Sequence, residues 1–191
     1  MPESLRERRK RRTAEEIVTS AMRLFEERGF DRTTIDQIAQ AAEISRRTFF
    51  RYFADKEELF FAEDEKLLDI IHDTLDSAPA DEAVLDLARR ATRALAASSV
   101  AQPERRLARE RLIASSPALL ARRMAKNLRW EQAIAERLVS RGLSEREALL
   151  IPKLAMACFQ AAYEQWVRNP RQDLPTLVDE SFAALTSLKA T

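Results

Sequence analysis

The stretch ISRRTFFRYFADKEELF, residues 44–60, combines aromatic and cationic side chains at an unusual density. Between Ser45 and Phe53, three arginines stand among three phenylalanines and a tyrosine, and no acid interrupts them. A fully solvated helix has little need of so many rings, and a buried helix cannot hide so many guanidinium groups. The composition therefore predicts a short helix with an apolar face that packs and a cationic face offered to an anionic partner.

Helical geometry divides the stretch in this way. At about 100° per residue, Phe49 and Phe53 share one face, and we expect them to pack on Ile38, Phe25 and Leu24 of preceding helices. The opposite face then presents Arg47, Thr48 and Arg51. The rings anchor the helix, and the arginines and threonine remain available.

A second short helix is expected just before this one, over residues 35–42. A link of two or three residues follows, and Ser45 can cap the next helix over 46–52, which is the layout of a helix-turn-helix. A helix of this width fits the major groove, where arginine reads guanine and a threonine methyl can contact thymine. The basic run RERRKRR, residues 6–12, suits a mobile segment that neutralises phosphates or enters the minor groove. The alternative is a small helical hairpin with ordinary surface arginines.

The rest of the chain predicts an all-α fold of about nine helices. There are only two glycines, both where a helix would end, and no alternation typical of strands. Four pairs resemble capping boxes, namely Thr13–Glu16, Thr34–Gln37, Asp55–Glu58 and Ser144–Glu147. Pro152 should kink the eighth helix or move its start later. The expected helices cover residues 13–28, 35–42, 46–52, 56–76, 81–98, 103–114, 117–140, 145–168 and 175–188.

Composition limits the class of protein. Among the 191 residues 33% are charged, but the net charge is only +1, so bulk charge indicates no partner. The lone cysteine, Cys158, lies in an apolar run and excludes a disulfide framework or a cysteine-based zinc site. No apolar stretch approaches the roughly 18 residues of a membrane span. We therefore expect a soluble, cytoplasmic protein without a metal or cofactor.

The segment from Thr13 to Phe61 resembles the DNA-binding domain of the TetR family of bacterial transcriptional regulators. The resemblance rests on AMRLFEERGFDRTTIDQIAQAAEISRRTFFRYFADKEELF, which matches in order and spacing without a gap. It implies that the third helix meets bases and phosphates, that the second presents its N-terminus to the backbone, and that a lysine contacts phosphate. The DNA-binding residues so implied, with the basic arm, are Arg8, Arg9, Lys10, Arg11, Arg12, Thr34, Ser45, Arg46, Arg47, Thr48, Phe50, Arg51, Tyr52 and Lys56.

Two positions depart from the family pattern. Position 50 is usually tyrosine, and Phe50 lacks the hydroxyl that could bond a phosphate, so packing or a thymine methyl contact remains. Glu43 stands in the turn where the family commonly has glycine. A left-handed glutamate there would cost on the order of 1 kcal/mol, so either the turn differs or the domain tolerates the strain.

The resemblance also implies a division into a basic arm (1–12), a helix-turn-helix domain (13–56) and a ligand-binding and dimerisation domain (57–191). Helices eight and nine would form the homodimer. Its two recognition helices, the third helix of each chain, would lie about 34–36 Å apart, or somewhat farther if paired dimers or a widened groove are involved, and would read an inverted repeat. Small and apolar residues at helical spacing support this, although they could instead complete the core of one protomer. The expected interface residues are Ala155, Ala162, Leu177, Val178, Phe182 and Leu185.

A small-molecule effector is the further implication, and it would shift the dimer between conformers. The run LARRMAKNLRWEQAIAERL, residues 120–138, loosely resembles TetR-like domains described as binding acyl-CoA-like ligands. Apolar and aromatic residues predict an apolar cavity with few polar groups. The candidate ligand-binding residues are His72, Arg109, Met124, Asn127, Trp130, Met156, Phe159 and Tyr163, with Trp166 beside them.

Two alternatives to an effector-controlled DNA-binding regulator are considered. An enzyme would need a nucleophile, a base or a metal, and the sequence has no phosphate loop, nucleophile elbow or HExxH motif, so no catalytic residue is predicted. A DNA-binding dimer without an effector is the other, its C-terminal domain serving only dimerisation or a protein partner. A C-terminal domain whose core is fully packed, with no cavity beside Trp130, would indicate the DNA-binding dimer without an effector.

Overall fold

The computed structural model describes residues 4–62, 64–100 and 103–187. Within these residues the chain forms nine α-helices and one short 3-10 helix and no strand, which confirms the all-α prediction. The 3-10 helix covers Glu58–Phe61. The α-helices are α1 Leu5–Arg28, α2 Ile35–Ala41, α3 Arg46–Tyr52, α4 Asp64–Asp76, α5 Val84–Ser99, α6 Pro103–Ser115, α7 Pro117–Ser140, α8 Glu145–Arg168 and α9 Leu174–Ser187.

The first helix begins at Leu5, and the prediction that it starts at Thr13 is wrong. Ser4 is its N-cap: the Ser4 hydroxyl accepts from the Glu7 N–H at 3.2 Å, and the Glu7 carboxylate accepts from the Ser4 N–H at 2.8 Å. This reciprocal pair satisfies otherwise unpaired backbone donors. The basic residues from Arg6 to Arg12 therefore lie inside α1 rather than in a segment ahead of it. Residues 1–3 of the expected arm lie outside the described residues.

The segment expected as one helix over 56–76 is divided. The Asp55 carboxylate accepts from the Glu58 N–H at 2.8 Å, as a cap would, but the Glu58 carboxylate accepts from the Ala54 N–H at 2.7 Å. These two bonds close a bend that leads into the 3-10 helix. The α-helical part is α4, which begins at Asp64, so the predicted start at residue 56 is wrong.

Helix α8 has the predicted bounds. Ser144 and Glu147 form the expected capping box at its start, with the Glu147 N–H donating to the Ser144 hydroxyl at 3.3 Å. The helix continues through Pro152 without a later start, so of the two effects expected of the proline the kink is left, and it stays a prediction. The cap fixes the start because it pairs the backbone donors of the first turn.

The chain separates into two compact units. The first, called the head unit, consists of residues 1–63 and 108–122, and the second, called the body unit, of residues 64–107 and 123–191. Six of the seven phenylalanines before residue 62 are buried in the core of the head unit, together with Ile113 and Leu119, both 0% exposed. The end of α6 and the start of α7 therefore complete the aromatic core of the head unit.

The core of the body unit is built from α4, α5, α7, α8 and α9. Helix α9 packs against both α5 and α8, and Trp166 and Val178 are buried to 2% and 0% exposure. Ion pairs fasten the surface of this packing, for example Arg89 to Asp179 at 3.0 Å. The core consists mainly of leucine and alanine, in contrast to the aromatic head.

Candidate DNA-binding surface and effector cavity

The helix-turn-helix is held by local caps that the sequence predicted. The Thr34 hydroxyl accepts from the Gln37 N–H at 3.3 Å, and the Gln37 amide oxygen accepts from the Thr34 N–H at 2.9 Å. Ser45 caps α3 by accepting from the Thr48 N–H at 3.0 Å. Both predicted caps are confirmed, and they fix the starts of the two short helices.

The turn between these helices contains Glu43 in the left-handed region, with φ 54°. The Ile44 N–H donates to the Ala39 carbonyl at 2.9 Å, and the Glu43 N–H donates to the Gln40 carbonyl at 3.1 Å. Of the two outcomes that the sequence left open, the domain adopts the strained one. The cost is about 1 kcal/mol or slightly more for a side chain that is not glycine.

Aromatic packing orients α3 as predicted. Phe49 is 0% and Phe53 5% exposed, and their ring centroids lie 5.8 Å apart. They belong to the same buried cluster as Ile38, Leu24 and Phe25. This packing fixes the rotation of α3 about its axis, so the opposite face points to solvent.

The solvent face of α3 is cationic. Arg47 and Arg51 are exposed, and Phe50 is 46% exposed, which is unusual for a large apolar side chain. Thr48 is half-buried, and its hydroxyl lies 2.9 Å from the hydroxyl of Ser45. The Arg51 guanidinium lies 5.3 Å from the centroid of the Tyr52 ring. This face can meet a polyanion and a flat apolar group together.

Arg46 is engaged within the head unit. Its Nη1 donates to both carboxylate oxygens of Asp36, at 3.1 and 2.9 Å, and its guanidinium lies 5.6 Å from the centroid of the Phe50 ring. Asp36 is in the first turn of α2. The sequence did not single out Asp36, because an acid there also suits the positive end of a helix.

Lys56 lies in the bend before the 3-10 helix, so its expected place as the first residue of helix four is wrong. Its ammonium donates to the carbonyls of Phe30 at 2.9 Å and Thr33 at 3.3 Å, and lies 4.1 Å from the centroid of the Phe30 ring. Lys56 thus closes the loop after α1. Its contact with phosphate stays a prediction.

The basic start of α1 is exposed on all sides. Arg8, Arg9 and Lys10 are solvent-accessible, Arg12 pairs with Glu16 at 3.0 Å, and Arg11 lies 3.7 Å from Glu15. Cations at the N-terminal end of a helix oppose its dipole. These acids offset part of that repulsion, and a polyanion would offset the remainder.

The body unit contains an apolar cavity between α4, α5, α7 and α8. The space open to the centre of a water molecule is about 40 Å³, room for roughly three waters. Among the described residues that line it, Thr92 alone has a polar side chain, and its hydroxyl already donates to the Ala88 carbonyl at 2.7 Å. The lining residues are Ile71, Leu75, Val84, Ala88, Ala91, Thr92, Leu95, Ile134, Leu138, Ile151, Pro152, Ala155, Met156 and Phe159.

The cavity brings together only part of the expected ligand site. Met156 and Phe159 line it, as does Ala155, which the sequence placed at a dimer interface. His72, Trp130, Asn127 and Tyr163 are not lining residues, and Met124 is 67% exposed. Within the described residues, Nε2 of His72 is buried without a hydrogen-bond partner. Most lining residues were not predicted from the sequence. Aliphatic and alanine side chains on α4 and α5 give the same sequence pattern whether they fill a core or line a cavity.

Arg109 belongs to the head unit and is not one of the lining residues of the cavity. Its Nε donates to the Phe60 carbonyl, and its guanidinium lies 5.2 Å from the centroid of the Phe61 ring. Glu110 pairs with it at 3.3 Å. These contacts hold α6 to the aromatic core of the head.

The expected interface residues lie mainly in the core of the protomer. Ala162, Leu177, Val178 and Phe182 are at most 4% exposed. In the single chain they expose almost no surface, and their assignment as dimer contacts stays a prediction. Leu185 is only half-buried and packs beside the same core. The helical spacing of these apolar residues indicated that they are buried. The packing of α9 on α5 and α8 buries them within one chain.

Three further features concern possible metal binding, the lone cysteine and membrane spans. Within residues 4–62, 64–100 and 103–187, no group of three or more His, Cys, Asp or Glu residues could hold a metal ion. Burial raises the pKa of the Cys158 thiol, which keeps it protonated. No described helix is long and apolar enough to cross a membrane.

Three features together are typical of a DNA-binding regulator: the capped helix-turn-helix, its cationic solvent face and the all-helical body. Comparison with known families agrees. Residues 17–62 match the tetR family of bacterial regulatory proteins, and residues 82–189 match the MftR C-terminal domain. The chain belongs to the TetR family.

Individual relatives differ in how far the match extends. TcmR, a transcriptional regulator of Streptomyces glaucescens, is 38% identical over 48% of this chain, which spans only 40% of TcmR. The mycofactocin biosynthesis transcriptional regulator MftR of Mycobacterium tuberculosis is 28% identical over 92% of this chain and 90% of its own. Thermus thermophilus FadR, solved with lauroyl-CoA, has the same fold, with TM-score 0.59, 24% identity and 91% and 93% coverage of the two chains.

Proposed function

We propose that the protein is a homodimeric repressor that binds an inverted-repeat operator and is released by a small, largely apolar effector. The observation that carries this proposal is the exposed Arg47, Phe50 and Arg51 on a helix locked in place by Phe49. We assign DNA binding to residues 13–56 with the basic residues of 1–12, and effector binding and dimerisation to residues 57–191. A protein that acts on operator DNA works in the cytoplasm.

In this proposal α3 enters the major groove. Arg47 and Arg51 meet guanine edges or phosphates, and Phe50 contacts a thymine methyl group. Thr34 presents the first N–H groups of α2 to a phosphate, where the helix dipole favours an anion. An ammonium has three donors, so Lys56 retains one for phosphate after its two internal bonds.

The proposed dimer uses the exposed faces of α8 and α9 instead of their buried stripes. Ala157 and Ala161 lie one turn apart on α8 and are exposed, as are Ala183 and Ala184 on α9. Small exposed residues allow close approach of helices in a four-helix arrangement about a two-fold axis. Such a dimer presents two recognition helices about 34–36 Å apart.

The effector is proposed to place an apolar chain in the cavity of the body unit. A wall of apolar side chains with one engaged hydroxyl offers no partner to a charged group. The volume suits the end of a chain, and a longer chain would need side chains to move. An acyl-CoA-like molecule fits these demands, and the fold holds lauroyl-CoA in Thermus thermophilus FadR.

The DNA-binding proposal is tested by selecting bound sequences from random duplexes. We expect an enriched inverted repeat, and a loss of about 10- to 100-fold in affinity for it in Arg47→Ala, since a base-reading arginine contributes roughly 1–3 kcal/mol. Arg171→Ala removes an exposed arginine of the body unit and should leave affinity unchanged. Recovery of no sequence, or equal affinity of Arg47→Ala, would contradict the proposal.

The effector proposal is tested on the selected operator with acyl-CoA molecules of increasing chain length. Release of DNA by one of them should disappear in Ala88→Phe, because that side chain fills the cavity, while operator binding remains. Ala97→Phe places the same ring on the exposed side of α5 and should still respond. An unchanged response of Ala88→Phe would show that the ligand binds elsewhere.

A regulator without an effector is the second candidate, and the small size of the cavity favours it. On that proposal the body unit serves only dimerisation or a protein partner. No ligand would then change operator affinity or raise the midpoint of thermal unfolding. Ala88→Phe would bind the operator as the wild type does under every condition.

A further inference from the structure

Aromatic side chains continue along α8 beyond the apolar cavity. Phe159 is the last lining residue of this helix, and its ring is stacked on that of Tyr163, with centroids 5.6 Å apart and 20° between the planes. Tyr163 in turn lies 5.6 Å from the buried Trp166. A continuous aromatic surface therefore leads from the cavity wall to Tyr163.

A cation of α6 lies over the end of this surface. The Nε of Arg106 donates to the Tyr163 hydroxyl oxygen at 2.9 Å, and the guanidinium lies 5.5 Å from the centroid of the Tyr163 ring. The contact is partly buried. A guanidinium carries five N–H donors, so most of its hydrogen-bonding capacity remains after this bond.

Arg106 has no acidic partner among the described residues, and its printed contacts are those with Tyr163. Arg90 pairs with Glu82 at 2.7 Å, and Lys153 pairs with Glu131 at 2.6 Å. A partly buried charge without a counter-charge is costly, and an anion that binds there recovers this cost. Arg106 is therefore free to bind an anion from outside the chain.

We propose that Arg106 and Tyr163 form the head-group subsite for an effector with an apolar chain and an oxyanion head, either carboxylate or phosphate. The inference rests on the proposed effector function and names the class of ligand. The cavity has no free polar group, so the head must lie outside it. Phe159, a lining residue, stacks on Tyr163, and the guanidinium fork matches two oxygens of an oxyanion.

The experiment compares three ligands with the same chain by titration calorimetry on the full chain without DNA. These are dodecanoate, dodecyl phosphate and dodecanol, each below its micellar concentration. We expect the wild type to bind at least one of the acids about tenfold or more tightly than the alcohol, as charge-assisted hydrogen bonds predict. Arg106→Gln should lose this preference and keep its affinity for the alcohol.

Two further variants keep the test decisive. Arg105→Gln removes the neighbouring, exposed arginine of α6 and should retain the preference for acids. Tyr163→Phe keeps the ring packing but removes the hydroxyl, and it should weaken the preference several-fold. The acid that binds more tightly identifies the head as carboxylate or phosphate.

An alcohol bound as tightly as both acids by the wild type, an unchanged preference in Arg106→Gln, or no binding of any of the three would overturn the subsite. Operator binding is measured on the same preparations. A protein that binds its operator without preferring acids refutes the subsite alone. A protein that prefers acids but selects no operator refutes the proposed repressor and supports the subsite.

Discussion

At the scale of single residues, the turn of the helix-turn-helix carries measurable strain. Glu43 has φ 54°, a region that costs a side chain other than glycine about 1–2 kcal/mol. Glycine removes that cost but loses about 0.5–1 kcal/mol of chain entropy on folding. We expect Glu43→Gly to raise the free energy of unfolding by about 0.5–1 kcal/mol in urea denaturation at fixed protein concentration. Glu43→Ala keeps the strain and should not stabilise, and a gain as large in that variant would disprove the explanation.

The pair between Asp36 and Arg46 is a second residue-scale feature, and it competes with DNA for the arginine. Asp36 holds Nη1 of Arg46 at 2.9 and 3.1 Å on an exposed surface. Asp36→Asn should release Arg46 to a phosphate, which makes binding to non-specific duplex tighter and its salt dependence steeper by about one counterion. Asp31→Asn removes an exposed acid of the same unit and serves as control. An equal salt slope in wild type and Asp36→Asn would show that Arg46 gains no phosphate.

At the scale of elements, the start of α8 depends on one capping box. The Ser144 hydroxyl and then its backbone N–H donate to the Glu147 carboxylate, at 2.6 and 3.1 Å, and lower the pKa of Glu147 below its ordinary value of 4.5. Since the folded pKa is the lower one, this stabilisation is present above pH 4.5 and is lost as the pH falls through the folded pKa.

Ser144→Ala should therefore lose about 1 kcal/mol of stability at pH 7, as N-cap removal does. The difference from wild type should narrow when urea denaturation is repeated below pH 4.5, because Glu147 becomes protonated in both proteins. Ser140→Ala, at the exposed end of α7, lacks a carboxylate partner and should show no such narrowing. A difference that is constant with pH would mean that the hydroxyl acts only as an acceptor for the backbone.

The start of a helix could be predicted from the sequence where a local capping pattern is compatible with only one start. The pairs Thr34–Gln37 and Ser144–Glu147 start the helices they were expected to start. The pair Thr13–Glu16 has the same pattern but lies inside α1, because arginine and lysine before it favour helix and Ser4 offers an earlier cap. A capping pattern thus shows where a helix can begin, and the residues before it decide whether it does.

At the scale of the whole molecule, the sequence indicated which faces are apolar but not what covers them. The stripe of Leu177, Val178 and Phe182 was expected at a dimer interface, yet α5 and α8 cover it within one protomer. Likewise, Ala88 and Ala91 line the cavity without any signal that separates them from core alanines. Both outcomes depend on contacts between residues far apart in sequence, which periodicity along one helix does not encode.

The dimer itself gives the prediction that tests the whole molecule. If the exposed face of α8 meets its copy, Ala161→Glu buries a carboxylate against the partner helix, and a buried charge without a counter-charge is strongly unfavourable. We expect monomers by light scattering at concentrations where the wild type is a dimer. Operator affinity should fall more than tenfold, because one head alone contacts a single half-site.

Ala97→Glu is the matched control, since it adds the same charge at an exposed alanine of α5. It should remain dimeric and bind the operator normally, while both variants keep the helical circular dichroism of the wild type. A dimeric Ala161→Glu with full operator affinity would place the two-fold axis elsewhere. Loss of the dimer without loss of operator affinity would mean that a single head unit recognises the operator sequence. An operator with two symmetric halves would then have no structural reason.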